Sequence, residues 1–271
     1  VSWLRSAAPY VHLHHGRTFV ISFAGEVVAD RTLLNHLVMD VSLIASMGMR
    51  VVLVHGSRPQ IEELMSLRKL EGQFYKGVRI TGPQELECVK EAGGETRFDI
   101  EAAFSQGLPN TPMQHSRIKV VSGNFVTARP MGIIDGVDYL HTGVVRKVDA
   151  ESIQDLLSRG NIVLVSPTGF SPTGEAFNLT TEDVATAIAV AIHADKLILS
   201  VGVDGVRIQG EKQQDLTAQQ AQALIQSKQV DDEDVYNLGY ALRAIKGGVD
   251  RVHIVPYAMD GGILTELFTH D

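Results

Sequence analysis

The sequence predicts an α/β fold, with a central, mostly parallel sheet sandwiched between helices and one extra helix at the N-terminus. Short apolar runs recur along the chain, each closed by a glycine or polar turn and followed by helical spacing. The 271 residues are 44% hydrophobic but only 6% aromatic, so aliphatic packing dominates, as it does in parallel sheets covered on both faces. The β-α-β-α order of these runs implies right-handed crossovers between neighbouring parallel strands.

Residues 2–15 place Trp3, Leu4, Ala7, Tyr10, Val11 and His14 along a helical face that Pro9 interrupts. This helix precedes the first strand, so it packs on its own domain or on a neighbouring subunit. Residues 18–24 read as a buried strand, Gly25 as a turn, and 31–47 as an amphipathic helix ending at Gly48. A second buried strand, 50–54, leads into His55-Gly56-Ser57 and a helix from Pro59. Residues 82–106 form a helix expected to break at Gly93-Gly94. Residues 119–130 and 137–148 alternate like strands around a turn at 132–136, which predicts antiparallel hairpins shaping a lid or pocket. The parallel rhythm then resumes. Helices are expected at 150–159, 181–193, 217–227, 231–246 and 261–268, and strands at 161–167, 196–201 and 251–255. The last helical pattern stops at Asp271 with no cap or tail, which fits a chain trimmed there.

A net charge of −8 leaves no polycationic face for nucleic acid or an anionic membrane. The single cysteine, Cys88, cannot form an internal disulfide and reads as a small buried side chain in a reducing compartment. No apolar stretch is long enough to span a bilayer, and the N-terminus lacks the order of a secretion signal, so a cytoplasmic location is expected.

Parallel sheets gather ligands at the carboxyl ends of their strands, here Gly25-Glu26 and His55-Gly56-Ser57-Arg58. Each small-residue turn is a weak signal alone; side by side they suggest a crevice, with Arg58 able to meet an anion. Thr180 or Thr181 can cap the helix that follows, with Glu182 and Asp183 at its positive end. His12, His14 and His15 read as a solvated helix face, since no second group has zinc-ligand spacing and no metal site is expected. There is no Gly-x-Ser-x-Gly, no Cys/His arrangement and no Walker-type loop.

Several ordered blocks are more specific. These are His55-Gly56-Ser57-Arg58-Pro59-Gln60-Ile61-Glu62, Asn110-Thr111-Pro112-Met113-Gln114, Val121-Ser122-Gly123-Asn124-Phe125, Asp135-Gly136-Val137-Asp138-Tyr139, Thr173-Gly174-Glu175-Ala176-Phe177-Asn178-Leu179-Thr180 and Glu266-Leu267-Phe268. On these blocks the whole chain resembles the amino-acid kinase family, and within it the N-acetylglutamate synthase branch. The resemblance implies the amino-acid kinase (carbamate kinase-like) fold. It divides the chain into an oligomerisation helix (1–16), an N-lobe on the acyl-amino-acid side (17–175) and a C-lobe on the nucleotide-like side (176–271). An acetyltransferase domain, with acetyl-CoA as its substrate, is expected after residue 271, and no cofactor is expected within these residues.

The departures from active N-acetylglutamate kinases carry the functional expectation. Ser22 stands where those kinases have a strand lysine, Asn237 where they have a second lysine, and Glu182 where they have an aspartate. Their His-Gly-Gly-Gly turn reads His55-Gly56-Ser57-Arg58 here, so side chains are expected in the phosphate space. Phosphoryl transfer depends on positioning and charge neutralisation, so losing both lysines removes several kcal/mol of transition-state stabilisation. Gly25, His55, Gly56, Arg79 and Asn178 match the substrate and nucleotide crevice. Arg79 and Asn178 either keep a vestigial pocket or fix the local fold.

Arginine-regulated members of the family bind L-arginine between the N-terminal helix and the carboxyl-terminal lobe, at positions matching Tyr10, Lys196, His253 and Glu266. Glu266 suits the guanidinium, Lys196 the carboxylate, and Tyr10 the stem. The resemblance also implies self-association into a hexamer through the N-terminal helix. The expectation is an arginine-sensing domain with a degenerate kinase site; its rivals are an active acetylglutamate kinase using ATP and magnesium, and a purely structural, hexamer-forming domain.

Overall fold

The computed structural model describes the backbone of residues 2–106, 118–202, 207–208, 211–212, 216–227, 230 and 232–268. The block Asn110 to Gln114 lies outside the described residues.

Helix α1 (Ser2–His14) continues through Pro9 and is followed by β1 (Thr18–Phe23), the short α2 (Gly25–Ala29) and α3 (Arg31–Ser46). Asp30 starts α3 because its carboxylate accepts from Thr32 N and Leu33 N at 2.8 and 3.2 Å. Next come β2 (Arg50–His55), α4 (Arg58–Leu67), the hairpin β3 (Gln73–Tyr75) and β4 (Val78–Ile80), and α5 (Pro83–Ser105). The middle holds β5 (Val120–Ser122), β6 (Val126–Pro130), the small pair β7 (Ile133–Ile134) and β8 (Val137–Asp138), and β9 (Gly143–Val148). Asp149 then caps α6 (Ala150–Ser158) through Ser152 N at 3.2 Å. Beyond it lie β10 (Ile162–Val165), β11 (Thr168–Phe170), β12 (Ala176–Asn178), α7 (Thr181–Ala191) and β13 (Lys196–Val201). The chain closes with β14 (Arg207–Ile208), β15 (Glu211–Lys212), α8 (Ala218–Ser227), α9 (Asp232–Lys246), β16 (Arg251–Pro256) and α10 (Gly262–Phe268).

Six parallel strands form the main sheet in the order β16-β13-β1-β2-β10-β5. Alternate residues of each strand feed two cores, as a doubly covered sheet requires. Val20, Val52, Val54, Val163 and Leu197 pack with α6, α7 and α9 on one face. Phe19, Ile21, Phe23, Leu53 and Ile198 pack with α2, α3, α5 and α10 on the other. A second sheet, β12-β11-β6-β9, contains the expected antiparallel pairing of β6 with β9.

Four expectations need correction. Gly25 is not a turn but the first residue of α2. Helix α5 is unbroken at Gly93-Gly94. Each glycine costs about 1 kcal/mol of helix propensity, but the burial of Cys88, Val89 and Ala92 before the pair and Ile100 and Phe104 after it offsets that cost. Residues 119–130 do not form one hairpin arm: they split at Gly123, β5 joining the edge of the main sheet beside β10 while β6 enters the second sheet. Finally, His14 does not belong to a solvated face. It is buried and stands edge-on to Phe19 with ring centroids 5.8 Å apart, while His12 and His15 are exposed.

Candidate functional site

The turns after β1 and β2 meet as expected at the carboxyl edge of the sheet, but they are filled. The N–H of Gly56 donates to Phe23 O at 2.7 Å, and Gln60 Nε2 donates to Gly25 O at 2.8 Å. A Cβ on Gly25 would lie 2.6 Å from Gln60 Oε1, 2.8 Å from Pro59 Cδ and 2.9 Å from Ser57 Cα. A Cβ on Gly56 would lie 2.9 Å from the backbone N of Gly25. Both glycines are thus required by the approach of one chain segment to another. Ser57 is buried here, as the sequence suggested, but Arg58 does not share the space: it turns to solvent, pairs with Glu62 at 3.2 Å and lies over the Phe74 ring. A guanidinium keeps its hydration on that path.

His55 is fully buried between these turns. Nδ1 lies 3.1 Å from Gly56 O, a group that can only accept, so Nδ1 carries the proton and Nε2 accepts from Ser166 Oγ at 2.8 Å. Burial lowers its pKa to about 4, with the charge of Arg97 adding to the effect and the Gly56 bond opposing it. His55 therefore stays neutral. Ser22, buried in β1 between Val54 and Leu199, brings no charge either.

Arg79 and Asn178 belong to one tight network. Arg79 is buried, pairs with Glu62 at 3.1 Å, contacts Met65 Sδ at 3.2 Å and stacks over Phe74. Asn178 Nδ2 donates to Thr81 Oγ1 at 3.0 Å, whose hydroxyl is bonded to Thr142 Oγ1, and Thr142 in turn donates to Arg79 O at 2.6 Å.

At the start of α7, Thr180 holds the N-cap position without a side-chain capping bond. Its hydroxyl is bonded to Tyr240, whose own pKa is pushed up to about 12 by burial and by the charges of Asp183 and Glu182. Asp183 pairs with Arg243 at 2.6 Å and accepts from Val145 N at 3.1 Å. Asn237 is buried, and its Nδ2 has no hydrogen-bond partner among the described residues.

The four positions matched to arginine fall on elements that converge. Tyr10 is on α1, Lys196 opens β13 as a buried residue, His253 is on the adjacent β16, paired with Ile198 of β13, and Glu266 is on α10. Helix α10 packs on β16, and α1 contacts α10. The side chain of Glu266 lies outside the described residues.

Sequence reasoning missed the part played by Gln60 and Ser166, and the Asp40-His36 pair on α3. Spacing offered one signal: His36 and Asp40 stand four residues apart inside an apolar helix. Among the described residues no helix is long and apolar enough to cross a membrane, and no group of side chains could hold a metal ion.

A model of the amino acid kinase family matches residues 17–256. The amino-acid acetyltransferase of Ralstonia nicotianae is 54% identical over 272 residues, covering 100% of this chain and 60% of the relative. The structure of N-acetylglutamate synthase from Neisseria gonorrhoeae complexed with coenzyme A and L-arginine matches at TM-score 0.91 and 35% identity, over 98% of this chain and 62% of that one. Carbamate kinase from Giardia lamblia bound to AMP-PNP, 13% identical, matches at TM-score 0.69 over 93% of this chain and 96% of its own, a likeness of fold. The chain spans about 60% of the length of the curated relatives it matches.

Proposed function

The chain belongs to the amino acid kinase family, and on that premise we propose that it is an arginine-sensing regulatory domain whose kinase site no longer transfers phosphate. In this reading it serves an amino-acid N-acetyltransferase that moves acetyl from acetyl-CoA to glutamate, with the chemistry carried by residues beyond Asp271. The observation that carries the sensing role is the contact of the first helix with the last, α1 with α10, beside the β13-β16 pair. Tyr10, Lys196, His253 and Glu266 sit on those four elements. An amino acid with a cationic side chain needs a carboxylate at one end and a base at the other, and Glu266 and Lys196 provide that polarity. The relative from Neisseria gonorrhoeae, described above in its complex with L-arginine, supports the same ligand.

Loss of phosphoryl transfer rests on the filled turns. Transfer requires cations around the migrating group, whereas Ser22 and the neutral His55 supply none and Gln60, Pro59 and Ser57 pack against Gly25. Arginine, bridging elements from both ends of the chain, would favour one arrangement of α1 against α10 and so shift the assembly between states.

The test is a calorimetric titration of L-arginine into wild type and Glu266→Ala. Binding to wild type with at least a tenfold loss in the variant is expected, together with a rise in wild-type melting temperature on adding arginine. No binding to folded wild type would leave the structural, self-associating role. ADP release with ATP, magnesium and N-acetylglutamate would instead restore the kinase reading.

A further inference from the structure

On the α3 side of the carboxyl edge, the ends of β1, β13 and β16 border a small cavity that opens to solvent. Helix α3 and the loop entering α10 complete its wall. Its floor is apolar, with Phe23, Leu37 and Ile263 all buried. Its acidic residues are Asp40 and Asp260, His36 lies beside them, and among the described residues no lysine or arginine lines it.

Asp40 is the unusual member. The residue is only 9% exposed, lines the cavity, and its carboxylate accepts no hydrogen bond among the described residues. His36, one turn earlier on the same helix, does not neutralise it by contact, because His36 Nδ1 is engaged by Asp260 Oδ1 at 3.2 Å. Burial raises the Asp40 pKa to about 6, the charge of Asp260 adds to that, and His36 opposes it. A buried carboxylate without donors is costly, and the cost falls when a cation with N–H groups reaches it.

We propose that this cavity binds a small organic cation, a primary ammonium or guanidinium on a short alkyl stem, with Asp40 as its charged partner. The stem covers Phe23, Leu37 and Ile263 while the head reaches Asp40. A metal ion fits less well, since no three ligating side chains converge among the described residues. A free amino acid also fits less well, because its carboxylate would face Asp40 and Asp260 with no lysine or arginine among the described lining residues. The site thus differs in chemistry from the proposed arginine site and does not depend on it.

The experiment titrates n-butylamine, n-butylguanidine and n-butanol into the purified chain, followed by calorimetry and backbone NMR shifts. Both cations are expected to bind and to shift residues around Asp40 and Asp260, with n-butanol at least about tenfold weaker. Asp40→Asn is expected to weaken cation binding about tenfold or more while circular dichroism confirms the fold. Should that variant not fold, Asp260→Asn in the solvent-facing loop is expected to weaken binding several-fold. From pH 7 to pH 5 affinity should fall about tenfold, the change in ionised fraction for a carboxyl titrating near 6. His36, Asp260 and Tyr257 are the other titratable groups facing the cavity. Equal binding of n-butanol, equal binding by Asp40→Asn, no binding of either cation to folded wild type, or displacement of n-butylamine from these residues by L-arginine would each overturn the assignment.

Discussion

Around Gly25 and Gly56 the carboxyl ends of β1 and β2 are closed by the protein itself: Gly56 N–H donates to Phe23 O, Gln60 Nε2 to Gly25 O, and His55 stays neutral between Gly56 O and Ser166. At the other end of the same edge, β1, β13 and β16 stop at an open cavity lined by Asp40, a residue 9% exposed whose carboxylate accepts no hydrogen bond among the described residues. One sheet edge thus holds a closed region and an open one. The two glycine-bearing turns serve as close-packing points. The vacant chemistry lies instead where no sequence motif announces it.

The sealed region should be the less tolerant of added volume. Gly56→Ala places a methyl group 2.9 Å from the Gly25 backbone N and 3.3 Å from Ala24 Cα and Phe23 O, all main-chain atoms that cannot swing aside. A loss of at least about 3 kcal/mol of stability is expected, measured by urea denaturation. A loss below about 1 kcal/mol would mean that the two turns are looser than they look and could still part for a ligand.

Acid should separate the two regions further, because their titrations oppose each other. His55 has a folded pKa near 4 against an ordinary 6.5, so its contribution is intact above pH 6.5 and is lost as pH falls towards 4. Asp40 has a folded pKa near 6 against an ordinary 3.8, so its contribution is intact below pH 3.8 and is lost as pH rises through 6. Each shift corresponds to roughly 3 kcal/mol, and between pH 4 and 6 the two nearly cancel. Asp40→Asn removes one side of the balance. Denaturation midpoints of that variant should fall by the equivalent of roughly 2 kcal/mol between pH 6.5 and 4.5, relative to wild type. Parallel profiles for the two proteins would show that Asp40 is better solvated than its burial indicates.

How far the sequence revealed this is best seen residue by residue. The strands were legible because a doubly covered strand is apolar on both faces: residues 196–201 were expected as a strand, and β13 is Lys196–Val201. The hairpin of β3 and β4 was missed, being short, largely exposed and held to the rest of the chain by non-local contacts such as Arg79 with Glu62 and Tyr236 with Lys76. The glycines at 93 and 94 misled because propensity is a local quantity, whereas the packing that keeps α5 whole is not. For the site, the substitutions at Ser22 and in the turn after His55 were visible as letters. That Gln60, rather than Arg58, packs against Gly25 was not, since only the fold decides which of several polar side chains turns inward. Asp40 was passed over for the complementary reason: apart from its spacing from His36, an acidic residue in an amphipathic helix reads as surface until the neighbouring loop is seen beside it.

The smallest effect concerns how the sealed region is held shut from outside. Tyr236 on α9 donates its hydroxyl to Lys76 O at 2.7 Å, tying α9 to the tip of the β3-β4 hairpin, where Lys76 also pairs with Asp135 at 2.6 Å. Tyr236 is 41% exposed, so water can replace the lost bond and Tyr236→Phe should cost under about 1 kcal/mol of global stability. The hairpin is a separate matter, because local opening depends on the few contacts that cross to it rather than on the core. Hydrogen exchange of the amides in residues 73–80 should speed up about threefold in the variant, while those of β1 and β2 stay protected. Unchanged exchange in the hairpin would show that Arg79, Phe74 and the Lys76-Asp135 pair suffice to hold it. The seal would then belong to the hairpin itself, without help from α9.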